Sequence, residues 1–391
     1  MQSAVTDKTS ERVRLDYLDG LRGLAALYVV IYHAACGYSG YGKGILPGKV
    51  VTAVKFLSYG HFSVAVFIVL SGYCLMLPVA QSKNKQLRGG MWDYLKRRGR
   101  RILPPYYAAL VLSLIVIALV PALQPPHGTG TIWDGTTPAF SLGPLLSHLF
   151  LVHNLSDHWI NRINGPMWSV ATEWQIYFFL PLVLLPLWRK FGIVVSVAVA
   201  FMIGLAPHFL LSGQFDKAVP WYLGLFALGM AGAVIGFSQE PTMQRCREKV
   251  PWGGVTALLW IFSALVGFGR ARWWWANLWF ADTFVGMATA ALLVYSTRFR
   301  TARGDAKPSF VLQVMESAGA VKLGTFSYSL YLIHMPLLAM SYLVFRGLSF
   351  GPLPRLMGLL FVAIPVAVGF AYLFHLAFEK RFMSAHTPAK G

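Results

Sequence analysis

Long runs of apolar residues, separated by short polar segments, dominate this chain of 391 residues. Ten runs approach the roughly 20 residues that a helix needs to cross the hydrocarbon core of a bilayer. Backbone polar groups in lipid must be paired within the segment, so each run is predicted to be an α-helix. The predicted spans are 21–38, 61–80, 102–122, 168–188, 191–211, 219–237, 253–269, 277–297, 324–345 and 356–378. A shorter apolar stretch, 142–152, is predicted to be an interfacial or re-entrant segment.

The composition agrees with a chain embedded in a membrane. Apolar residues make up 56% of the sequence and charged residues 13%, about half the charged fraction of a soluble domain. We therefore expect an all-α polytopic membrane protein with a cytoplasmic tail at 1–17, a transmembrane domain at 18–380 and a second cytoplasmic tail at 381–391. The largest external loop, 123–167, is either a lid over a substrate site or a solvated connector.

The net charge of +19 is distributed unevenly along the chain. With a cytoplasmic N-terminus and ten spans, most of the 34 lysines and arginines fall on the cytoplasmic side. This topology explains the basicity without a nucleic acid partner, and it suits an anionic cytoplasmic ligand or anionic lipids. The three cysteines, Cys36, Cys74 and Cys246, have neither a disulfide framework nor the spacing of metal ligands, so no metal site is expected.

Ionisable residues inside the predicted spans are the first candidates for chemistry, because placing them in lipid costs free energy. Arg22 and His33 are 11 residues apart, so they share one face of a helix with an axial offset of about 16 Å. His33, in the outer half of the first span, is either a catalytic base or a hydrogen-bonded structural histidine. Glu173 is predicted at a similar depth, where it orients His33, forms a structural ion pair or is buried in its neutral form.

A basic run precedes the third span, with four arginines in the sequence 96–101 followed by two prolines and a tyrosine. Planar guanidinium groups suit phosphate, so these arginines either bind a phosphate-bearing ligand or only anchor the helix at the inner surface. Asp19 is placed to pair with Arg22 or with this run, and Ser71 and Tyr73 form either a ligand wall or a close-packing turn. Local hydrogen bonds are the favoured interpretation for His61, His208, Asp282, His334 and His375.

Five motifs, in this order along the chain, resemble the acyltransferase-3 family of integral membrane O-acyltransferases. They are Arg22 followed after ten residues by His33, the segment 67–73 ending in Ser71-Gly72-Tyr73, the element from Arg98 to Arg101 before a Pro-Tyr pair, Trp168-Ser169 with Glu173, and 326–336. The resemblance covers about residues 15–380. Where members commonly have a second acid after the glutamate, this chain has Trp174, so the acidic role is assigned to Glu173 alone.

The resemblance implies an enzyme that transfers an acyl group from acyl-CoA, with acetyl-CoA the expected donor and no permanently bound cofactor. The expected acceptor is a hydroxyl of a glycan or glycan-like molecule. The resemblance assigns catalysis to His33 and Glu173, and acyl-CoA binding to Arg22, Arg98, Arg101, Asp19, Ser71 and Tyr73. His33 either deprotonates the acceptor or carries the acyl group transiently. The expected location is the bacterial inner membrane, with any extracytoplasmic hydrolase-like domain supplied by a separate partner protein.

A secondary transporter or flippase for an anionic or glycan substrate is the alternative. Ten spans, charges within the membrane and a large external loop would suit such a protein. We find no inverted repeat or paired discontinuous segments, which makes it the less favoured interpretation. A receptor or scaffold gives no reason for Arg22, His33 and Glu173 to lie in lipid.

Overall fold

The computed structural model describes residues 15–38, 55–123, 141–268, 277–302 and 307–383, and within these ranges every regular element is helical. The helices are α1 (Asp16–Tyr38), α2 (His61–Gln81), α3 (Gly90–Leu119), α4 (Leu142–Leu149), α5 (Met167–Phe179), α6 (Leu185–Phe191), α7 (Ile193–Leu210), α8 (Tyr222–Phe237), α9 (Pro241–Lys249), α10 (Trp252–Phe268), α11 (Leu278–Thr301), α12 (Phe310–Met315), α13 (Ala318–Thr325), α14 (Ser327–Gly347), α15 (Pro352–Gly358) and α16 (Ile364–Phe374). Turns of π-helix lie at Leu180–Leu184, Leu359–Ala363 and His375–Glu379, and 3-10 turns at Lys55–Tyr59, Pro121–Leu123, His153–Leu155, Asp216–Ala218 and Lys380–Phe382.

Each of the ten predicted spans coincides with a helix or a pair of joined helices, which confirms the all-α polytopic fold. Among the described residues, eight helical stretches are long and apolar enough to cross a membrane, or nine if α9 and α10, bent by 69°, form one span. Helix α1 lies outside this set; its apolar sequence is interrupted by Asp19, Arg22 and His33. Most of the predicted tails, and residues 124–140 of the predicted external loop, lie outside the described residues.

The surface and the interior of the bundle differ in the way expected for a protein surrounded by lipid. Large apolar side chains face outward, with Leu119 exposed by 76% and Val194 by 77%. Polar side chains such as Ser113, Thr289 and Asp282 are buried between the helices. Lipid tails accommodate the outer apolar surface, whereas buried polar groups find partners inside the bundle.

Glycines bring the helices that carry the site into backbone contact. Helix α2 packs along α8, where a Cβ on Gly72 would overlap the backbone oxygen of Phe226 and one on Gly229 would overlap that of Val69. Helix α1 packs along α13 and α14, and a Cβ on Gly324 would overlap the backbone oxygen of Asp19. Small residues permit such close approach in membranes, so α2 is held against α8, and α1 is held against α13, the helix that directly precedes α14.

The described part of the predicted external loop is docked on the bundle. Asn164 is buried and donates to the backbone oxygen of Leu332 at 2.8 Å and to Ser113 Oγ at 3.1 Å. The oxygen of Leu332 needs such a donor because Pro336, four residues later, has no N–H to offer it. The Tyr106 hydroxyl donates to the backbone oxygen of His148 at 3.0 Å. These bonds tie the loop to α3 and α14, beside the candidate site; whether 142–152 is interfacial or re-entrant stays a prediction.

Candidate active site

Two neighbouring cavities inside the bundle hold most of the predicted site residues. The first, called here the arginine cavity, has a volume of about 120 Å³ and polar walls formed by Arg22, Ser71, Arg98, Arg101, Ser169, Glu173 and Tyr177. The second, the histidine cavity, has a volume of about 280 Å³ and includes Tyr32, His33, His61, Asn161 and Trp168 in its wall. Val64 and Tyr331 belong to both walls and form the partition between the two cavities.

The arginine cavity concentrates positive charge. Arg98 and Arg101 lie one helical turn apart on α3, and Arg22 reaches the same cavity from α1. Arg22 is paired with Asp19, whose Oδ1 lies 2.9 Å from its Nη1. Within the described part of the chain, neither Arg98 nor Arg101 has an acidic partner within 4 Å. Two unpaired guanidinium groups on one cavity wall are suited to bind the oxygens of phosphate groups.

Glu173 belongs to the arginine cavity, which corrects the expected contact with His33. Its Oε1 accepts a hydrogen bond from the Tyr177 hydroxyl at 2.5 Å, and that hydroxyl lies 3.0 Å from Ser71 Oγ. On α5, Trp168 is a residue that lines the histidine cavity. It precedes Glu173 by five residues, so the two lie about 7.5 Å apart along the helix axis. The apolar pattern predicts the depth of Glu173 only to within a turn or two, and an error of that size is enough to move the side chain from one cavity to the other. The catalytic role of Glu173 stays a prediction.

The remaining predicted ligand residues fall in different places. Ser71 lines the arginine cavity, and Asp19 acts on it through Arg22. Tyr73 does not line it: the side chain is fully buried, and its hydroxyl contacts Thr297 and Tyr17 between α1, α2 and α11. Tyr73 therefore packs three helices together rather than forming the predicted ligand wall.

His33 lines the histidine cavity and has a histidine as its partner. Its Nδ1 lies 3.0 Å from Nε2 of His334 on α14. Nδ1 of His334 faces the backbone oxygens of Leu330 and Tyr331 at 3.1 and 2.8 Å. Carbonyl oxygens only accept, so His334 Nδ1 carries the hydrogen and its Nε2 carries a lone pair. His33 Nδ1 is then the donor, which leaves His33 Nε2 with the lone pair that a base or nucleophile requires.

The partition between the cavities is held by hydrogen bonds from Tyr331. Its hydroxyl lies 2.6 Å from Ser169 Oγ, on the arginine side, and donates to the backbone oxygen of Pro166, on the histidine side, at 3.1 Å. Val64 on α2 completes the wall. A substrate that uses both cavities must pass these two side chains.

For three residues of this region, His61, Asp282 and His334, the sequence favours only local hydrogen bonds. His334 contacts His33, and His61 lines the histidine cavity while contacting Asp282. Two features of the sequence point to a role in the site: His334 lies in the motif 326–336, and an aspartate such as Asp282 is rare within a membrane span. The pairings themselves join residues more than 200 positions apart, so no local pattern predicts them.

Relatives of this chain include proteins named acyltransferases or O-acetyltransferases. A 25% identical relative is the acyltransferase MdmB of Streptomyces mycarofaciens, aligned over 86% of this chain and 82% of that protein. The O-acetyltransferase OatA of Staphylococcus aureus is 22% identical over 82% of this chain, which spans half of OatA. The putative peptidoglycan O-acetyltransferase YrhL of Bacillus subtilis is 25% identical over 45% of this chain and 25% of that protein. No solved structure matches the chain.

The family match extends over nearly all of the described bundle. The family described as "Acyltransferase domain" matches residues 15–372, a range that contains both cavities and all five sequence motifs. The chain therefore belongs to the acyltransferase-3 family of membrane O-acyltransferases.

Proposed function

We propose that this protein transfers an acyl group, expected to be acetyl, from acyl-CoA held in the arginine cavity to a hydroxyl of a glycan or glycan-like acceptor in the histidine cavity. The observation that carries the proposal is the adjacency of the two cavities, which share Val64 and Tyr331. One cavity offers groups suited to phosphates and the other offers a histidine with a free lone pair. A phosphate-bearing donor with a reactive thioester at the far end of a long arm fits this pair of sites.

The donor side is proposed to open to the cytoplasm. The bias of lysines and arginines along the chain supports cytoplasmic tails at 1–17 and 381–391 and an external loop at 123–167. Arg98 and Arg101 lie in the first half of α3, within the basic run 96–101 that is predicted to face the cytoplasm. Because the relatives come from bacteria, we propose the bacterial inner membrane as the location.

His33 is proposed to provide the chemistry in the histidine cavity. Its Nε2 lone pair supports removal of the acceptor proton, and equally supports transient transfer of the acyl group onto the ring. Glu173 is proposed to act on the donor side, where its carboxylate, bonded to Tyr177, faces the arginines. Arg22, with Asp19 positioning it, is proposed to complete the phosphate site.

The acceptor class rests on the relatives. OatA is named an O-acetyltransferase, and YrhL a putative peptidoglycan O-acetyltransferase. The wall of the histidine cavity adds Trp168, Tyr32 and Asn161, an aromatic and amide surface able to contact a sugar. A glycan-like acceptor is therefore the proposal, and a separate extracytoplasmic partner protein stays a prediction.

The test is release of coenzyme A from acetyl-CoA by the purified protein in lipid nanodiscs, with membrane glycan extract as acceptor. Wild type is compared with His33→Ala, and with His208→Ala as a histidine outside both cavities. Release and acceptor acetylation should be present in wild type and His208→Ala and absent in His33→Ala. Unchanged acetylation by His33→Ala would contradict the mechanism. No release by wild type from any acyl donor would instead favour the transporter interpretation.

A further inference from the structure

A second histidine lines the histidine cavity, and it is paired with a buried acid. His61, the first residue of α2, places Nε2 3.0 Å from the carboxylate of Asp282 on α11. Asp282 is fully buried and also accepts a hydrogen bond from Trp221 Nε1 at 2.8 Å. The Tyr222 hydroxyl lies 3.3 Å from the same nitrogen of His61. Helices α2, α8 and α11 thus converge on a polar cluster beside the cavity.

The charge balance of this cluster indicates which side chain holds a proton. A buried carboxylate is costly unless a positive charge accompanies it. Trp221 donates a hydrogen bond but carries no charge, and His61 is the basic side chain paired with Asp282 in the described chain. The pair is neutral overall when both ring nitrogens of His61 are protonated. Asp282 therefore holds His61 as an imidazolium with one N–H to spare.

His33 and His61 thus share one cavity in opposite states. The partner of His33 is another neutral imidazole, His334, which leaves a lone pair on His33. The partner of His61 is a carboxylate, Asp282, which leaves a proton on His61. Two titratable groups held in different protonation states by their surroundings are the arrangement that provides an acid and a base for one reaction.

We propose that His61 is the general acid that protonates the sulfur leaving the acyl group, and that Asp282 is its positioning residue. This assignment of an acid rests on the proposed acyltransferase function. His61 precedes Val64 of the partition by three residues on α2, so both lie on one face of that helix. The donor arm has to pass the partition to reach His33, and its sulfur would trail the acyl carbon there, next to His61.

The proton transfers balance without a further reactant. His33 takes the acceptor's hydroxyl proton as the oxygen–carbon bond forms. The carbon–sulfur bond breaks, its electron pair goes to sulfur, and sulfur takes the proton of His61. The products are the acyl ester and the free thiol, with His33 protonated and His61 neutral. Proton transfer from His33 to His61 through the cavity restores both. If His33 attacks the thioester itself, sulfur leaves in the same way and needs the same acid.

The experiment compares two donors whose thiols differ in acidity. Acetyl-CoA releases a weakly acidic thiol, which needs an acid, whereas 4-nitrophenyl thioacetate releases a much more acidic one, which does not. The variants are His61→Gln and Asp282→Asn. The control is His208→Gln, since His208 has a similar partner, with Nδ1 2.8 Å from Asp216 Oδ2, outside both cavities. Rates are measured in nanodiscs with a fixed acceptor, and elution as a single species checks folding.

For His61→Gln we expect kcat with acetyl-CoA to fall by about 100-fold or more, with KM nearly unchanged and a much smaller loss with the thioacetate. Asp282→Asn should show the same dependence on the donor, with a smaller fall in kcat. His208→Gln should have the kcat of wild type with both donors. An equal loss with both donors, or near wild-type turnover of acetyl-CoA by His61→Gln, would overturn the acid role while leaving the acyltransferase activity standing. Absence of turnover in wild type would overturn both proposals.

Discussion

His334 on α14 presents its Nε2 to His33 Nδ1 on α1 at a distance of 3.0 Å, although the two residues are 301 positions apart in the chain. Because the other nitrogen of His334 bonds two backbone oxygens, this contact fixes the tautomer of both rings. The lone pair of His33 is therefore a consequence of the packing of α14 against α1. Helix packing and the candidate chemistry are linked at this one hydrogen bond.

Replacing His334 tests this link. His334→Leu removes the imidazole acceptor for His33 Nδ1, and the loss of this buried partner, worth about 1–3 kcal/mol, should lower kcat by about 10- to 100-fold. His334→Gln retains an amide oxygen that can accept, and should recover part of the rate. The KM for acyl-CoA should be unchanged in both variants. Equal activities for the leucine and glutamine variants would show that the hydrogen bond does not matter.

Removing positive charge from the arginine cavity should weaken donor binding. Arg98→Gln and Arg101→Gln each remove a charge that is unpaired in the described chain, and KM for acetyl-CoA should rise by about 10-fold or more. Arg100→Gln, on the same helix but outside the cavity wall, is the matched control. Acetyl-pantetheine lacks the nucleotide phosphates, so its KM should not respond. A fall in kcat alone would argue against phosphate binding by these arginines.

Enlarging a side chain of the partition should separate donor binding from chemistry. Val64→Trp fills the space between the two cavities, so the thioester arm should no longer reach His33. Coenzyme A binding, measured by calorimetry, should persist while acyl transfer is lost. Val111→Trp, at an exposed position on α3, is the control for a bulky substitution. Full activity in Val64→Trp would mean that the donor does not cross this wall.

Acid should loosen the loop that is docked beside the site. The rings of His148 and His153 stack with centroids 3.8 Å apart, and burial lowers the pKa of His148 to about 4. A histidine in the undocked loop titrates near pH 6.5. Between pH 4 and pH 6.5 the undocked state therefore binds more protons than the docked state. Docking should be strongest above pH 6.5 and weaken as the pH falls toward 4. Hydrogen exchange of residues 141–164 at a series of pH values would measure this.

His148→Asn is the matched variant for the pH series. Its amide can still donate to the backbone oxygen of Pro144, as His148 Nδ1 does at 2.8 Å, but it does not titrate. The exchange of the loop should therefore depend less steeply on pH in this variant. An equally steep dependence in wild type and His148→Asn would assign the effect to other groups.

The apolar pattern by itself determined the fold class and the approximate limits of the helices found at the ten predicted positions, because a bilayer permits few backbone structures. The resemblance of the motifs to the acyltransferase-3 family also indicated His33, Arg22, Arg98 and Arg101 as candidate site residues, and all four line the two cavities. A periodic pattern gives a residue's face and approximate depth on its own helix. It contains no information on the helix that packs opposite.

Tertiary structure decided everything that depends on which helices meet. It assigned Glu173 to the arginine cavity, replaced the expected acid beside His33 with His334, and paired His61 with Asp282. These partners are set by the rotation and axial shift of one helix against another, where a few ångströms exchange one neighbour for the next. Such shifts are fixed by side-chain packing and glycine contacts throughout the bundle, so no single segment of the sequence encodes them.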